Sequence, residues 1–272
     1  MISPQNRLAP LNGNRHDMSV TTLYWDLAKF ARCVKILGVA QYIDYHTPWG
    51  RQTVNLKICG VDLKIRKKSP DLYVALSSLT TEFDLLATLL PSDFDGVLID
   101  AGGYIGTAAI KMSLLYPQAT VVSIEPSSEN FELISKNVEA YPNIVVVKAA
   151  LSSQGIEKTI LNNRGTGQWG LTIVQKPQDT HDVTGLEEVD VLTIGGIRKM
   201  FPDKEIGAIK LDIEGAEKKL FVEENDELQN IPIVFAELHD RIVDGCSKSF
   251  YEFSKNRWVM FAGGEKYLSL KR

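Results

Sequence analysis

Val97-Leu98-Ile99-Asp100-Ala101-Gly102-Gly103-Tyr104-Ile105-Gly106 reads as a short apolar run, an acid, and a bend built on glycines. Three successive apolar residues without polar alternation predict a strand covered on both faces, as in a parallel sheet. Glycines directly after it permit a tight turn and let a ligand approach the backbone with no side chain in the way. Ile105, Ala109, Met112 and Leu115 then share one helical face, and Val121-Val122-Ser123-Ile124 is the next strand. The stretch is a strand-helix-strand unit.

Outward from it the rhythm repeats. Ser127 caps a helix carrying Phe131, Ile134 and Val138, stopped near Pro142, and Ile144 to Val147 is the third strand. After a polar, glycine-rich stretch come the strand Ala208 to Leu211, a helix over Gly215 to Glu224, and the strand Ile233 to Leu238. Lys248 to Lys255 reads as helical, and Trp258 to Ala262 with Tyr267 to Leu270 form a hairpin around Gly263-Gly264. The expected fold class is α/β, a doubly wound, mostly parallel sheet of seven strands. Ahead of it, residues 1 to 20 read as a loose arm, and Leu23, Leu27, Phe30, Val34 and Leu37 mark an amphipathic helix. Val54, Leu56 and Ile58, then Val61, Leu63 and Ile65, alternate around Cys59-Gly60 as a hairpin. Thr81 and Asp84, with Phe83, Leu86 and Leu90, predict a lead-in helix stopped by Pro91. The expected division is 1–92 for arm, helix, hairpin and lead-in, and 93–272 for the domain bearing the sheet. The N-terminal helix offers a contact with that domain or with a second subunit, giving a homo-oligomer.

Composition narrows the function classes. Hydrophobic residues are 44% and charged residues 24% of 272, which excludes a disordered or collagen-like chain. Thirty basic against thirty-four acidic residues leave a net charge of −4, which argues against a nucleic-acid partner. No stretch reaches ~18 apolar residues, so no membrane partner is expected. Met1 to Asp17 lacks the apolar run of a signal peptide. Cys33, Cys59 and Cys246 are too few and scattered for a disulfide framework or a thiolate zinc site, and a reducing, cytoplasmic setting is expected. Six basic residues from Arg51 to Lys68, against Asp62 alone, read as a solvated face, and His16, His46 and His181 have no partner cluster.

The first bend discriminates between cofactors. A dinucleotide fingerprint needs glycine at 101, 103 and 106, and here Ala101 follows an acid, which disfavours a pyrophosphate and a nicotinamide-dependent oxidoreductase. Asp100 instead attracts the sulfonium and ammonium groups of S-adenosylmethionine. Glu125 ends the second strand, nineteen positions past Gly106, where a carboxylate accepts from both ribose hydroxyls; its structural alternative is a cap for the helix at Ser127.

Asp100 to Gly106, Glu125-Pro126, Lys210-Leu211-Asp212-Ile213-Glu214-Gly215-Ala216-Glu217 and Glu237-Leu238-His239, with Ser69 to Val74 upstream, carry a resemblance. The chain resembles the FkbM-like family of class I S-adenosylmethionine-dependent methyltransferases from about residue 60 to its end. The resemblance implies a seven-stranded methyltransferase fold, S-adenosylmethionine as cofactor, and O-methylation of a natural-product or sugar hydroxyl. It implies a donor loop formed by Asp100, Gly102, Gly103, Tyr104 and Gly106, with Glu125 on the ribose. Tyr104 stands where many members have Asn, and Gly195-Gly196, after Thr193-Ile194, where the family commonly has an Asp. The second departure keeps open a catalytically silent cofactor-binding or scaffold protein.

Ligands of wound sheets sit beyond the carboxyl ends of strands, where Asp100, Glu125, Asp212 and His239 all fall. His239 is the expected general base, since an ordinary pKa of ~6.5 leaves it neutral at pH 7. Asp212 is expected to orient the acceptor or support the donor, with a helix cap as the alternative. Glu214 and Glu217 are expected to stabilise the first turn of the following helix through its dipole. Glu237 shares a strand face with His239, and Asp212, Glu237 and His239 form an oxygen and nitrogen set suited to a divalent ion, although no metal is assigned. Asn163 to Gly170 combines glycines, Arg164 and Trp169, as a substrate lid or a surface hairpin does. The expected partner is a small hydroxylated acceptor.

Overall fold

The computed structural model describes residues 31, 33–47, 51–153, 155–223 and 225–272. The expected arm, His16, and the Leu23, Leu27 and Phe30 positions of the amphipathic helix lie outside the described residues. The chain divides into two compact units, Met1–Tyr45 and His46–Arg272. Residues 33–37 are helical, and α1 (Val39–His46) follows. The hairpin and the lead-in, grouped by sequence with residues 1–92, belong to the larger unit.

That unit opens with β1 (Thr53–Ile58) and β2 (Val61–Arg66), antiparallel and alternating buried with exposed side chains as expected. Cys59 (φ 52°) and Gly60 (φ 86°) form the left-handed two-residue turn that matches the strands' twist. α2 (Asp71–Ser77) runs into a π turn over Ser78–Glu82 and a short 3-10 turn over Leu86–Thr88. Thr81 therefore does not start a helix, a correction to the sequence reading. The chain is already helical from Asp71, and hydroxyls compete with the backbone here: Thr80 Oγ1 donates to Leu76 O at 2.6 Å.

The main sheet contains β3 (Val97–Ala101), β4 (Thr120–Ile124), β5 (Ile144–Val147), β9 (Ile206–Leu211), β10 (Ile233–Glu237), β11 (Arg257–Gly263) and β12 (Lys266–Lys271). Its order is β11-β12-β10-β9-β3-β4-β5, with β3 parallel to both β4 and β9, and β12 antiparallel to its two neighbours. Every residue of β3 and β9 is buried, which explains their largely apolar character, broken only by Asp100 and Lys210. Both faces are covered by helices: α3 (Thr107–Leu115), α4 (Ser128–Asn137), α5 (Ile194–Met200), α6 (Glu217–Glu223), α7 (Asn225–Gln229) and α8 (Cys246–Phe253). Val97, Ile99, Ile209 and Leu211 pack with Phe221, whose ring lies 5.4 Å from those of Phe250 and Phe253. Each such side chain contributes about 1.5–3 kcal/mol by burial. The chain steps from β3 outward to β4 and β5, then returns to place β9 on the opposite side of β3. Between the carboxyl ends of β3 and β9 lies the switch point of the sheet, the place where such folds bind ligands.

The polar stretch 150–192 builds a second, smaller sheet. Its strands, β6 (Ala150–Leu151), β7 (Lys158–Asn163) and β8 (Thr184–Leu192), run in the order β6-β8-β7. Gly195 and Gly196 open α5, where Thr193 Oγ1 accepts from the Gly196 N–H at 3.0 Å.

Candidate active site

At the carboxyl end of β3 the glycine bend is locked by the protein itself. Gly102 (φ +84°) lies so close to the next loop that a Cβ would stand 1.9 Å from Asp212 O. The loops after β3 and β9 thus touch at the switch point. Asp100 is fully buried and accepts from Ser123 Oγ at 2.8 Å and Lys210 Nζ at 3.1 Å. Its negative charge is met inside the sheet, so the attraction for a cationic ligand expected of Asp100 is largely spent on Lys210. Lys210 Nζ also donates to Gly102 O at 3.0 Å and lies 3.6 Å from Asp212 Oδ2. Burial opposes its charge, but Asp100 and Asp212 outweigh that and raise its pKa.

Tyr104 takes a left-handed backbone (φ 51°), and its N–H donates to Glu125 Oε2 at 2.8 Å. Its hydroxyl donates to Asp71, and Arg66 stacks 5.0 Å over its ring. Burial and the Asp71 charge push its pKa up. Arg66 in turn binds Asp71 at 3.0 Å and Asn130 at 2.9 Å, so the hairpin braces the glycine bend from outside. Glu125 Oε1 accepts from Ser127 N at 3.0 Å and Asn130 Nδ2 at 3.2 Å. Burial pushes the Glu125 carboxyl up to about 7, against these hydrogen bonds.

On the other side of the switch point stands a charged cluster. His239 is fully buried just past β10, with Nδ1 on Glu217 Oε1 at 2.9 Å. Glu217, also fully buried, accepts from the Ile213 and Gly215 N–H groups at 2.8 Å each. It holds the turn between β9 and α6 and positions His239, a larger role than the dipole contribution expected for it. Glu214 has a left-handed backbone (φ 52°), a strain of about 1–3 kcal/mol that clusters at functional sites. Its Oε2 accepts from Arg164 at 2.6 Å and Arg241 at 3.4 Å. Burial pushes the Glu214 carboxyl up to about 7. Burial acts the same way on Asp212, but Lys210 and His239 overcome it and hold its carboxyl below the usual range. Burial alone would lower His239; Glu217, Glu214 and Asp212 reverse this and push it up to about 10. The imidazole is therefore protonated at neutral pH, which corrects the reason given for a general-base role.

One loop spans both sides. Asn162 and Thr172 exchange backbone hydrogen bonds of 2.7 and 3.0 Å, closing the Asn163–Gly170 segment as a hairpin. Arg164 anchors it to Glu214 and Thr172 Oγ1 donates to Glu214 O at 2.6 Å. At the other end Gln168 O accepts from Asn130 Nδ2 at 2.9 Å, and Gln168 Nε2 donates to Glu129 at 2.6 Å. Gln168 Oε1 is buried without a hydrogen-bond partner among the described residues.

Residues 100–260, well over half the chain, match the model of the methyltransferase FkbM domain. The chain belongs to the FkbM methyltransferase family. A similar curated protein is Methyltransferase 1 of Beauveria bassiana, 27% identical over 158 residues, which are 50% of this chain and 61% of that protein. Hexuronic acid methyltransferase AglP of Haloferax volcanii is 24% identical over 214 residues, covering 75% of this chain and 82% of AglP. Among solved structures, methyltransferase FkbM of Methylobacillus flagellatus aligns with 67% of this chain and 45% of its own, at 17% identity and a TM-score of 0.44.

For this FkbM-family chain, the sheet brings Asp100, Gly102, Gly103, Tyr104, Gly106 and Glu125 to one side of the switch point and Asp212 and His239 to the other. Arg164 and Lys210 stood in the motifs read from sequence, but the Lys210–Asp100, Arg164–Glu214, Ser123–Asp100 and Glu217–His239 contacts did not. Lys210 carried a signal, since a lysine inside an all-apolar strand must find an anion. Arg164 and Glu214, fifty positions apart, carried none. No described helix is long and apolar enough to cross a membrane.

Proposed function

We propose that the protein transfers the methyl group of S-adenosylmethionine to a hydroxyl of a small, sugar-like acceptor. The observation that supports it best is the contact between the donor loop and the acidic turn: Gly102 packs on Asp212 O, so two polar subsites adjoin at the switch point. The residues on the β4 side suit the cofactor. Glu125 Oε2 accepts one hydrogen bond, from the Tyr104 N–H, and a carboxylate oxygen accepts a second from a ribose hydroxyl. When bound, S-adenosylmethionine supplies an electrophilic methyl carbon on a sulfonium. Glu125 holds the ribose, and Gly102, Gly103, Tyr104 and Gly106 shape the wall beside it.

The acceptor side supports a polyol rather than an apolar ring, because its solvent-facing groups are charged: Asp212, Glu237 and Arg241 are 32%, 25% and 38% exposed. The name of AglP, a hexuronic acid methyltransferase, supports the same acceptor class. Asp212 accepts the hydrogen bond of the acceptor hydroxyl and takes its proton. The oxygen becomes strongly acidic as it bonds the methyl carbon, so a carboxylate of low pKa suffices. His239 keeps that carboxylate in place. Alignment of the two reactants supplies about 7–11 kcal/mol of the barrier reduction. Calorimetry with S-adenosylhomocysteine tests the reading: one molecule bound per chain, followed by labelled methyl transfer to sugars or uronic acids, is expected. Folded protein that ignores the ligand rejects it.

A further inference from the structure

Three polar atoms on the acidic turn and just past β10, Asp212 Oδ1, Glu214 Oε1 and His239 Nε2, have no hydrogen-bond partner among the described residues. Glu217 occupies His239 Nδ1, and Nε2 of the fully buried imidazole has no hydrogen-bond partner. Nε2 lies 3.8 Å from Asp212 Oδ1 and 3.9 Å from Glu214 Oε1, too far for a hydrogen bond to either. Each carboxylate turns its other oxygen to a cation: Asp212 Oδ2 to Lys210 at 3.6 Å, and Glu214 Oε2 to Arg164 at 2.6 Å. Two oxygens and one nitrogen therefore lie within 4.8 Å of one another around a common point.

We propose that Asp212, Glu214 and His239 form a binding site for a divalent cation of the magnesium and manganese class. An unsatisfied buried polar atom costs about 1–3 kcal/mol, and a cation between these three atoms removes that cost. Spacings of 3.8 and 3.9 Å need only modest contraction for bonds of about 2.1 Å. Two hard carboxylate oxygens favour such ions over soft ones. The carboxylate behind the imidazole is the usual support of a metal-bound histidine, fixing the ring; the cation takes the place of the Nε2 proton of the imidazolium, which leaves to solvent on binding. Asp212 is a third exposed, which leaves coordination positions open toward solvent. If the methyl-transfer reading holds, a cation here also lowers the pKa of an acceptor hydroxyl bound to it; the site itself rests on geometry alone.

The test is a titration of the full chain with manganese chloride, without methyl donor, read as loss of the free-ion paramagnetic resonance signal. One ion per chain is expected, with affinity reduced at least about tenfold in Asp212→Asn and in Glu214→Gln. Glu265→Gln serves as the control, because Glu237, His239 and Glu265 form an alternative group around the same imidazole. A rise in the parent's unfolding temperature with manganese, absent in Asp212→Asn, is the second readout, and it does not depend on Glu214→Gln folding well. Folded parent that retains no ion overturns the assignment. So does binding unaffected by Asp212→Asn, or loss of binding in Glu265→Gln with Asp212→Asn intact. Because no donor is present, failure here is distinct from failure to bind S-adenosylhomocysteine.

Discussion

The two sides of the switch point are built on opposite principles. On the β3/β4 side, shape is settled by backbone: Gly102 is pressed on Asp212, and Glu125 is held by two main-chain N–H groups and Asn130. On the β9/β10 side, position is settled by charge: Glu217 fixes His239, and Arg164 and Arg241 fix Glu214. Each side also holds one non-glycine residue in a left-handed conformation, Tyr104 and Glu214. The first arrangement fixes its shape through main chain, whereas the second leaves Asp212 and Arg241 partly exposed to solvent.

Lys210 joins the two, and removing it is the harshest test of the contrast. Lys210→Met is expected to cost about 3–5 kcal/mol of unfolding free energy, because Asp100 is left as an unpaired buried charge. A denaturant midpoint equal to the parent's would show that the two sides are stabilised independently. Next in size, Glu125→Ala should weaken S-adenosylhomocysteine binding by about 2–5 kcal/mol in calorimetry, while leaving manganese binding unchanged. Equal affinity for the nucleoside would reassign Glu125 as a cap of α4.

A smaller effect comes from titration. The Glu125 carboxyl sits near 7 in the folded protein, above its ordinary value of 4.5, so the native state binds this proton more tightly. Its contribution is fully present below about pH 4.5 and is lost as pH rises through about 7. Unfolding measured against Glu125→Gln should show the parent losing about 1–3 kcal/mol relative to the variant across that window. A constant difference would mean that the carboxyl titrates normally. Smallest of all, Asp62→Asn breaks an exposed pair with Lys57 on the hairpin and should leave the unfolding temperature within error. A clear shift would assign the hairpin more than a bracing role.

The central strands of the main sheet were legible because burial on both faces leaves runs such as Val97-Leu98-Ile99 with no polar interruption, and the exposed β11 and its neighbour β12 because of the Gly263-Gly264 turn between them. The smaller sheet was not, since most residues of β8 face solvent and its apolar residues follow no regular period. The lead-in was misread because Thr81 looks like a cap wherever it stands, and only tertiary packing places it inside a π turn. In the site, positions at strand ends were readable from periodicity, but partnerships were not. Asp100 looked like a free anion until Lys210 was brought from 110 residues away. His239 looked like an ordinary histidine until three carboxylates surrounded it.

The Asn163–Gly170 hairpin is fastened to Asn130 at one end and to Glu214 at the other. Tension on either fastening is therefore carried to the other, so one short strap ties the glycine bend's neighbour Asn130 mechanically to the acidic turn.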